Sequence, residues 1–215
     1  MSPRPFTVLQ AVAAPFDYPS VDTDQIIPVR YIRTPRAQGY ETMLFRDLRF
    51  DPAGNERASF VLNRPGFRDA GVLVANTDFG TGSSREQAVW ALVDYGIRCV
   101  IAVSFGDIFA NNAVNHGLLL IREDAAMLTA TRAMLDRSPG ILIQVDLEAQ
   151  KWHADCQAPR HFEIEPARKQ RLLSGLDEIG LTERFRDDIQ RFETDYRSRR
   201  SWLNIGSESR HPSVK

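Results

Sequence analysis

The sequence predicts an α/β fold with a parallel strand-helix-strand unit at its centre, and three observations carry that expectation. Residues 72–75 are a short apolar run of the kind that makes a buried strand. Gly80 and Gly82 then free the backbone for a tight turn. Ala88, Ala91, Leu92 and Tyr95 follow at i, i+3, i+4 and i+7, the apolar stripe of an amphipathic helix, with Gly96 where a left-handed C-terminal cap belongs. Residues 98–103 are a second buried-strand run, which makes a parallel pair with a helical crossover the expected arrangement.

The turn between the first strand and the helix is the candidate site. Two hydroxyls and an arginine, Ser83-Ser84-Arg85, stand at its mouth, and free backbone N–H groups and the positive end of the helix dipole suit such a mouth to anions. Ser83 and Glu86 also have capping-box spacing, so Ser83 taken alone reads as a helix cap. Arg85 stands where a dinucleotide fingerprint needs its third glycine, and no Gly-Lys-Ser/Thr follows for a triphosphate loop. Neither serine has the flanking glycines of a hydrolase nucleophile elbow.

Composition bounds the remaining classes. A chain of 215 residues with net charge −1 is read as one globular domain over 1–215, with a tail from 204, and its charge argues against a nucleic-acid partner. No apolar run has membrane length and no secretory signal is evident, so the cytoplasm is the expected compartment. Cys99 lies in an apolar run and Cys156 in a polar loop. The four histidines have no ligand spacing, so no metal is expected in this chain.

In chain order, residues 6–12 read as the first strand. Asp22-Thr23-Asp24 then reads as a turn or cap, because such side chains bond nearby backbone N–H groups. Residues 29–40 form a basic loop whose Arg30, Arg33 and Arg36 are either solvated surface or a carboxylate clamp. A short helix is expected over 41–48, a loop entering a helix over 104–112, and a polar turn at Asn111, Asn112, Asn115 and His116. Further expectations are a strand over 118–121, a helix over 124–135, a strand over 141–145 and a hairpin from 151–153 and 160–164. Helices over 166–173 and 182–199 complete the chain.

Four motifs, in this order, carry a family resemblance: Asp22-Thr23-Asp24-Gln25-Ile26-Ile27-Pro28, Phe79-Gly80-Thr81-Gly82-Ser83-Ser84-Arg85-Glu86, Phe105-Gly106-Asp107-Ile108-Phe109 and Gly175-Leu176-Asp177-Glu178-Ile179-Gly180-Leu181-Thr182. Over about residues 6–203 the chain resembles the small-subunit family of the 3-isopropylmalate dehydratases, in the aconitase superfamily. The resemblance implies a swivelling domain of three β/β/α layers with a mixed or parallel sheet. It also implies a large partner subunit carrying a four-iron, four-sulfur cluster, since this chain lacks cysteines to hold one.

The implied reaction is the isomerisation of 2-isopropylmalate to 3-isopropylmalate by dehydration and rehydration. Matched residue by residue, Ser83 is the base of the family's Ser-Ser-Arg motif, and Arg85 and Asp24 share the catalytic assignment. Ser84, Thr23, Gly82 and Thr81 line the substrate, and Arg33 lies in the loop that selects it. Two positions depart from the family pattern. Gln87 stands where a histidine usually follows Ser-Ser-Arg-Glu. Tyr31-Ile32-Arg33-Thr34 resembles the loop of homoaconitase-type relatives, where the arginine pairs with an additional carboxylate, whereas an isopropyl group calls for an apolar wall. A hydro-lyase for another methyl- or carboxyl-substituted malate is therefore the second reading. A non-catalytic anion-binding module is the third, separable because amide binding of an anion survives loss of the Ser83 hydroxyl.

Overall fold

The computed structural model describes residues 4–155, 157–176, 178–200 and 202. They fall into two compact units, one ending at Leu176 and one starting at Asp177. The tail expected from 204, and Cys156, lie outside the described residues.

The first unit is built on a seven-stranded sheet in the order β4-β3-β2-β1-β5-β6-β7. Strand β1 (Val8–Pro15) is its pivot. The C-terminal half of β1 runs parallel to β2 (Val72–Val74), with Ala13 opposite Val72, and its N-terminal half runs antiparallel to β5 (Leu142–Asp146), with Val8 opposite Asp146. Parallel pairing continues through β3 (Cys99–Ala102) to β4 (Leu119–Arg122). Antiparallel pairing continues through β6 (Lys151–Ala154) to β7 (Arg160–His161). Strands β2 and β3 are buried at every position, as expected of parallel strands covered on both faces.

Alternation along these strands feeds two cores. Leu73, Val100 and Ala102 point to one face, where they pack with Ala88, Val89, Ala91 and Leu92 of α3 (Glu86–Tyr95) and with Phe109 and Ala113 of α4 (Asp107–Asn115). Val72, Val74, Cys99 and Ile101 point to the other face, where they join Ile143, Val145 and Trp152 of the antiparallel limb. Leu128 and Leu135 of α5 (Ala125–Arg137) and Leu172 of α6 (Pro166–Ser174) complete that core. The antiparallel limb thus curls over the parallel one. Glu123, just past β4, accepts hydrogen bonds from Arg160 on β7 and Trp152 on β6, which draws the two edges of the sheet together. These are the three layers that the family resemblance implied.

The second unit contains α7 (Glu178–Glu183) and α8 (Arg186–Arg199). Helix α8 has exposed side chains throughout and is laced by short-range pairs such as Arg191–Asp188 and Arg199–Asp195.

Some expected elements shift. The first strand begins two residues later than read from the sequence and runs on to Pro15. The helix expected over 41–48 is a single turn at Tyr40–Thr42 followed by α2 (Arg46–Arg49). Asn111, Asn112 and Asn115 do not form a turn. They lie inside α4, where α6 supplies partners: Arg168 donates to Asn111 Oδ1 (2.8 Å) and Arg171 to Asn115 Oδ1 (2.7 Å). The single helix expected over 182–199 is divided between α7 and α8.

Candidate active site

The loops leaving β1, β2 and β3 meet at the C-terminal ends of those parallel strands, the edge at which open α/β sheets bind ligands. Val21 takes hydrogen bonds from the N–H groups of Gly80 (2.7 Å) and Thr81 (3.2 Å), and Thr23 N–H donates to the Thr81 carbonyl (2.9 Å). On the other side Phe79 N–H donates to the Ser104 carbonyl and Gly106 N–H to the Phe79 carbonyl, both at 3.0 Å. The glycine turn is therefore clamped between two neighbouring loops. Gly80 and Gly82 have φ of +77° and +91°, and a Cβ on Gly80 would lie 2.3 Å from Phe109 Cγ, so the turn admits no side chain there.

Ser83 is not the helix cap that its spacing with Glu86 suggested. Helix α3 begins at Glu86, Arg85 occupies the cap position with extended backbone, and no side chain caps it. The capping box lies instead at α1 (Thr23–Ile26), where Asp22 Oδ1 accepts from Gln25 N–H (2.7 Å) and Gln25 Oε1 from Asp22 N–H (3.0 Å). Because residues 83–85 stay outside the helix, the N–H groups of Gly82, Ser83, Ser84 and Arg85 have no acceptor among the described residues, and Ser83 and Ser84 are exposed. Four free donors in succession, ahead of a ten-residue helix, make a cradle for negative charge.

Helix α1 fixes the remaining groups. Buried Thr23 donates from Oγ1 to the Ser83 carbonyl (2.9 Å), with its oxygen 3.5 Å from Ser83 Oγ. Asp24, next in sequence, grips the end of the Arg85 guanidinium: Nη2 donates to Oδ2 at 2.8 Å and Nη1 to Oδ1, while Nη1 also reaches the Ile27 carbonyl at 3.4 Å. An arginine has five N–H donors. This arrangement leaves the side edge, Nε–H and the second Nη2–H, without an acceptor among the described residues.

Thr23, Asp24, Thr81, Gly82, Ser83, Ser84 and Arg85 are thus brought together, and the basic loop divides. Arg30 pairs with Asp47 and Arg36 with Asp94, whereas Arg33 is exposed with no partner among the described residues. Of the three clamp candidates only Arg33 keeps its charge available. The sequence reading of Asp22-Thr23-Asp24 as a turn or cap holds at Asp22, which caps α1 and whose Asp-x-x-Gln spacing carries the signal. Sequence reasoning missed Asp94, the partner of Arg36, for which no local signal exists.

The mouth is open surface. A cavity of about 480 Å³ lined by Phe105, Asp107, Arg122 and Arg168 among others, and one of about 530 Å³ around Arg46 and Phe50, include none of Thr23, Asp24, Ser83, Ser84 or Arg85. Among the described residues no group of three or more His, Cys, Asp or Glu side chains is placed to hold a metal. Burial in the apolar core holds the Cys99 thiol well above its usual range. No helix among the described residues is long and apolar enough to cross a membrane.

Residues 4–126 match the aconitase C-terminal domain family. The 3-isopropylmalate dehydratase small subunit of Rhodospirillum centenum is 47% identical over 197 residues, covering 92% of this chain and 97% of that protein. The protein of the same name from Afipia carboxidovorans is 46% identical over 198 residues, covering 92% and 98%. Among solved structures, 3-isopropylmalate dehydratase from Methanocaldococcus jannaschii superposes with a TM-score of 0.60 at 28% identity, over 86% of this chain and 99% of that one. On fold, motif order and near-complete coverage, the chain belongs to the 3-isopropylmalate dehydratase small-subunit family of the aconitase superfamily.

Proposed function

We propose that this chain is the small half of a two-subunit cytoplasmic hydro-lyase that converts 2-isopropylmalate to 3-isopropylmalate, a step of leucine biosynthesis. The observation that carries the reading is the pairing of an exposed Ser83 hydroxyl with a four-amide cradle and an arginine whose side edge is open.

The chemistry sets two demands. A proton must leave the carbon beside a carboxylate, and hydroxide must leave the neighbouring carbon, giving an alkene that takes water back with the two positions exchanged. Ser83 Oγ takes the proton. A hydroxyl acts as a base only where its alkoxide is stabilised, and the free amides, the α3 dipole and the Arg85 charge supply that stabilisation. Thr23 holds the Ser83 carbonyl and thereby the orientation of the turn. Asp24 aligns Arg85 so that its side edge presents two parallel donors to a substrate carboxylate. Ser84 and the N–H groups of Gly82 and Ser83 line the same mouth, beside Thr81.

Departure of hydroxide calls for a Lewis acid, which a large partner subunit with a four-iron, four-sulfur cluster supplies when bound. The openness of the mouth supports this division, because water is excluded only when a second wall closes over it.

The test is reconstitution. The isolated chain should be colourless and inactive, and mixing with its large subunit should yield interconversion of the two isopropylmalates. Dehydratase activity in the chain alone would contradict the reading, as would a reconstituted pair that turns over another malate and not this one. One observation favours a second reading, a homoaconitase-type substrate: Arg33 stands exposed with no charge partner among the described residues, as an additional carboxylate would require.

A further inference from the structure

The basic loop has no regular ladder to hold it, yet it is tied to one flank of α3. Gln87, Trp90 and Asp94 fall at i, i+3 and i+7, one face of that helix. Gln87 Nε2 reaches the Ile32 carbonyl at 3.4 Å. The Arg36 guanidinium lies over the Trp90 ring, 5.2 Å from its centroid, and donates from Nε to both Asp94 oxygens (3.2 and 3.0 Å) and from Nη2 to Oδ1 at 2.5 Å. Buried Tyr40 meets Trp90 edge-on at 5.7 Å and donates its hydroxyl to the Thr34 carbonyl at 2.8 Å. Trp90 in turn donates to His116 Nε2 at 3.0 Å, which ties the rail to the end of α4. The same helix carries Ser83-Ser84-Arg85 immediately before its first residue.

Resting on the functional reading above, we infer that Asp94 and Arg36 are positioning residues. Through the loop they hold Arg33 and the substrate-facing wall at a fixed place relative to Ser83. Ordering a free loop costs backbone conformational entropy at every residue, and a loop already ordered by its scaffold spares substrate binding that cost. Gln87 adds a tether to the carbonyl directly before Arg33. The pair acts on how well the substrate is held and discriminated. It does not act on proton transfer, because neither side chain is directed to Ser83.

The experiment uses the reconstituted two-subunit enzyme. Asp94→Asn keeps the shape and removes the charged acceptor. It should raise KM for 2-isopropylmalate about 5- to 20-fold with kcat within about two-fold, the signature of lost uniform binding. It should also narrow the preference for isopropylmalate over a methyl-substituted malate and speed tryptic cleavage after Arg33 or Arg36. Arg36→Lys, which keeps the charge and loses the fork, should give a smaller shift in the same direction. Exchanging the two residues, Arg36→Asp with Asp94→Arg, should recover part of the KM. Ser83→Ala runs in parallel: full turnover in that variant would fault the reading of the site. Loss of turnover there, with Asp94→Asn leaving KM, preference and tryptic rate unchanged, would overturn this inference alone. So would a fall in melting temperature and kcat at constant KM, the mark of a purely structural pair.

Discussion

Two of the arginine–carboxylate pairs in this chain are built the opposite way round. In the first, Arg85 is withdrawn (12% of its side chain exposed) and Asp24 is open (54%). In the second, Glu123 is withdrawn (9%) and Arg160 more open (38%). A buried carboxylate must have its lone pairs filled, and Glu123 does: Arg160 Nε and Nη2, Trp152 Nε1 and Asp124 N–H all donate to it. Nothing is left for a ligand, and the pair spends its whole capacity on joining the edges of the sheet. A withdrawn arginine gripped at its end by one carboxylate still has its side edge to offer. Which partner is buried decides whether the pair is a staple or a receptor.

The largest test of that contrast lies beside the first pair. Ser83→Ala in the reconstituted enzyme should lower kcat by about 10²–10⁴-fold, the range for a positioned acid–base group, with KM nearly unchanged because the cradle of amides survives. A small effect would return Ser83 to a purely structural role at the turn and favour a non-catalytic anion site.

Exchanging Arg for Lys at both pairs comes next. Lysine keeps the charge and loses the planar fork. Arg85→Lys cannot hold Asp24 and a substrate carboxylate together, so kcat/KM should fall about 100-fold, roughly 2.7 kcal/mol. Arg160→Lys should leave kcat/KM alone and cost about 1 kcal/mol of stability as one charged hydrogen bond is lost. Equal kinetic effects from the two would break the distinction.

The third test is pH. Arg160 first, with the Asp124 N–H and Trp152 adding to it against the cost of burial, holds the Glu123 carboxyl below its ordinary value near 4.5. A depressed carboxylate pKa contributes stability that is present above the unfolded value and lost as pH falls through the folded one. Glu123→Gln should therefore destabilise by about 1.5–3 kcal/mol at pH 7. Its deficit against the parent should shrink as pH drops below about 4.5, followed by urea unfolding at each pH. Asp24→Asn, at an exposed carboxylate, should cost less than about 1 kcal/mol of stability.

What was legible in the sequence follows from how local each feature is. The strand at 72–74, the glycine turn and the buried stripe of α3 depend on period and on residues that tolerate positive φ, and the structure has them where the sequence puts them. The start of α3 was misread because Ser83 and Glu86 satisfy a local capping rule that a distant contact overrides: Thr23, sixty positions away, donates to the Ser83 carbonyl, and 83–85 stay outside the helix. Asn111, Asn112 and Asn115 were misread for a related reason, since Arg168 and Arg171 give Asn111 and Asn115 partners within the helix, while His116 does lie in the turn past its end. The basic loop was legible as a loop. That two of its three arginines are anchors depends on Asp47 and Asp94, which no spacing rule connects to them.

The smallest effect is expected at Arg33, and its sign decides the substrate. Neither Arg30 nor Arg36 competes for the role, because each already holds a carboxylate. If the substrate carries an isopropyl group, the Arg33 charge stays in solvent while its methylene stem lies along the apolar substituent. Arg33→Leu then extends the apolar wall and removes a charge that needs hydration, so kcat/KM for 2-isopropylmalate should stay within about two-fold or rise slightly, below about 0.5 kcal/mol in either direction. With a substrate that carries an additional carboxylate, the same substitution strands that charge in a partly closed site and should cost about 2–5 kcal/mol. Steady-state assays of the parent and Arg33→Leu enzymes on both substrates give the answer. A large loss on isopropylmalate, with none on the more highly charged analogue, would mean that Arg33 turns its guanidinium inward to a carboxylate common to the malates, and the assignment of Arg85 as their receptor would have to be shared with it.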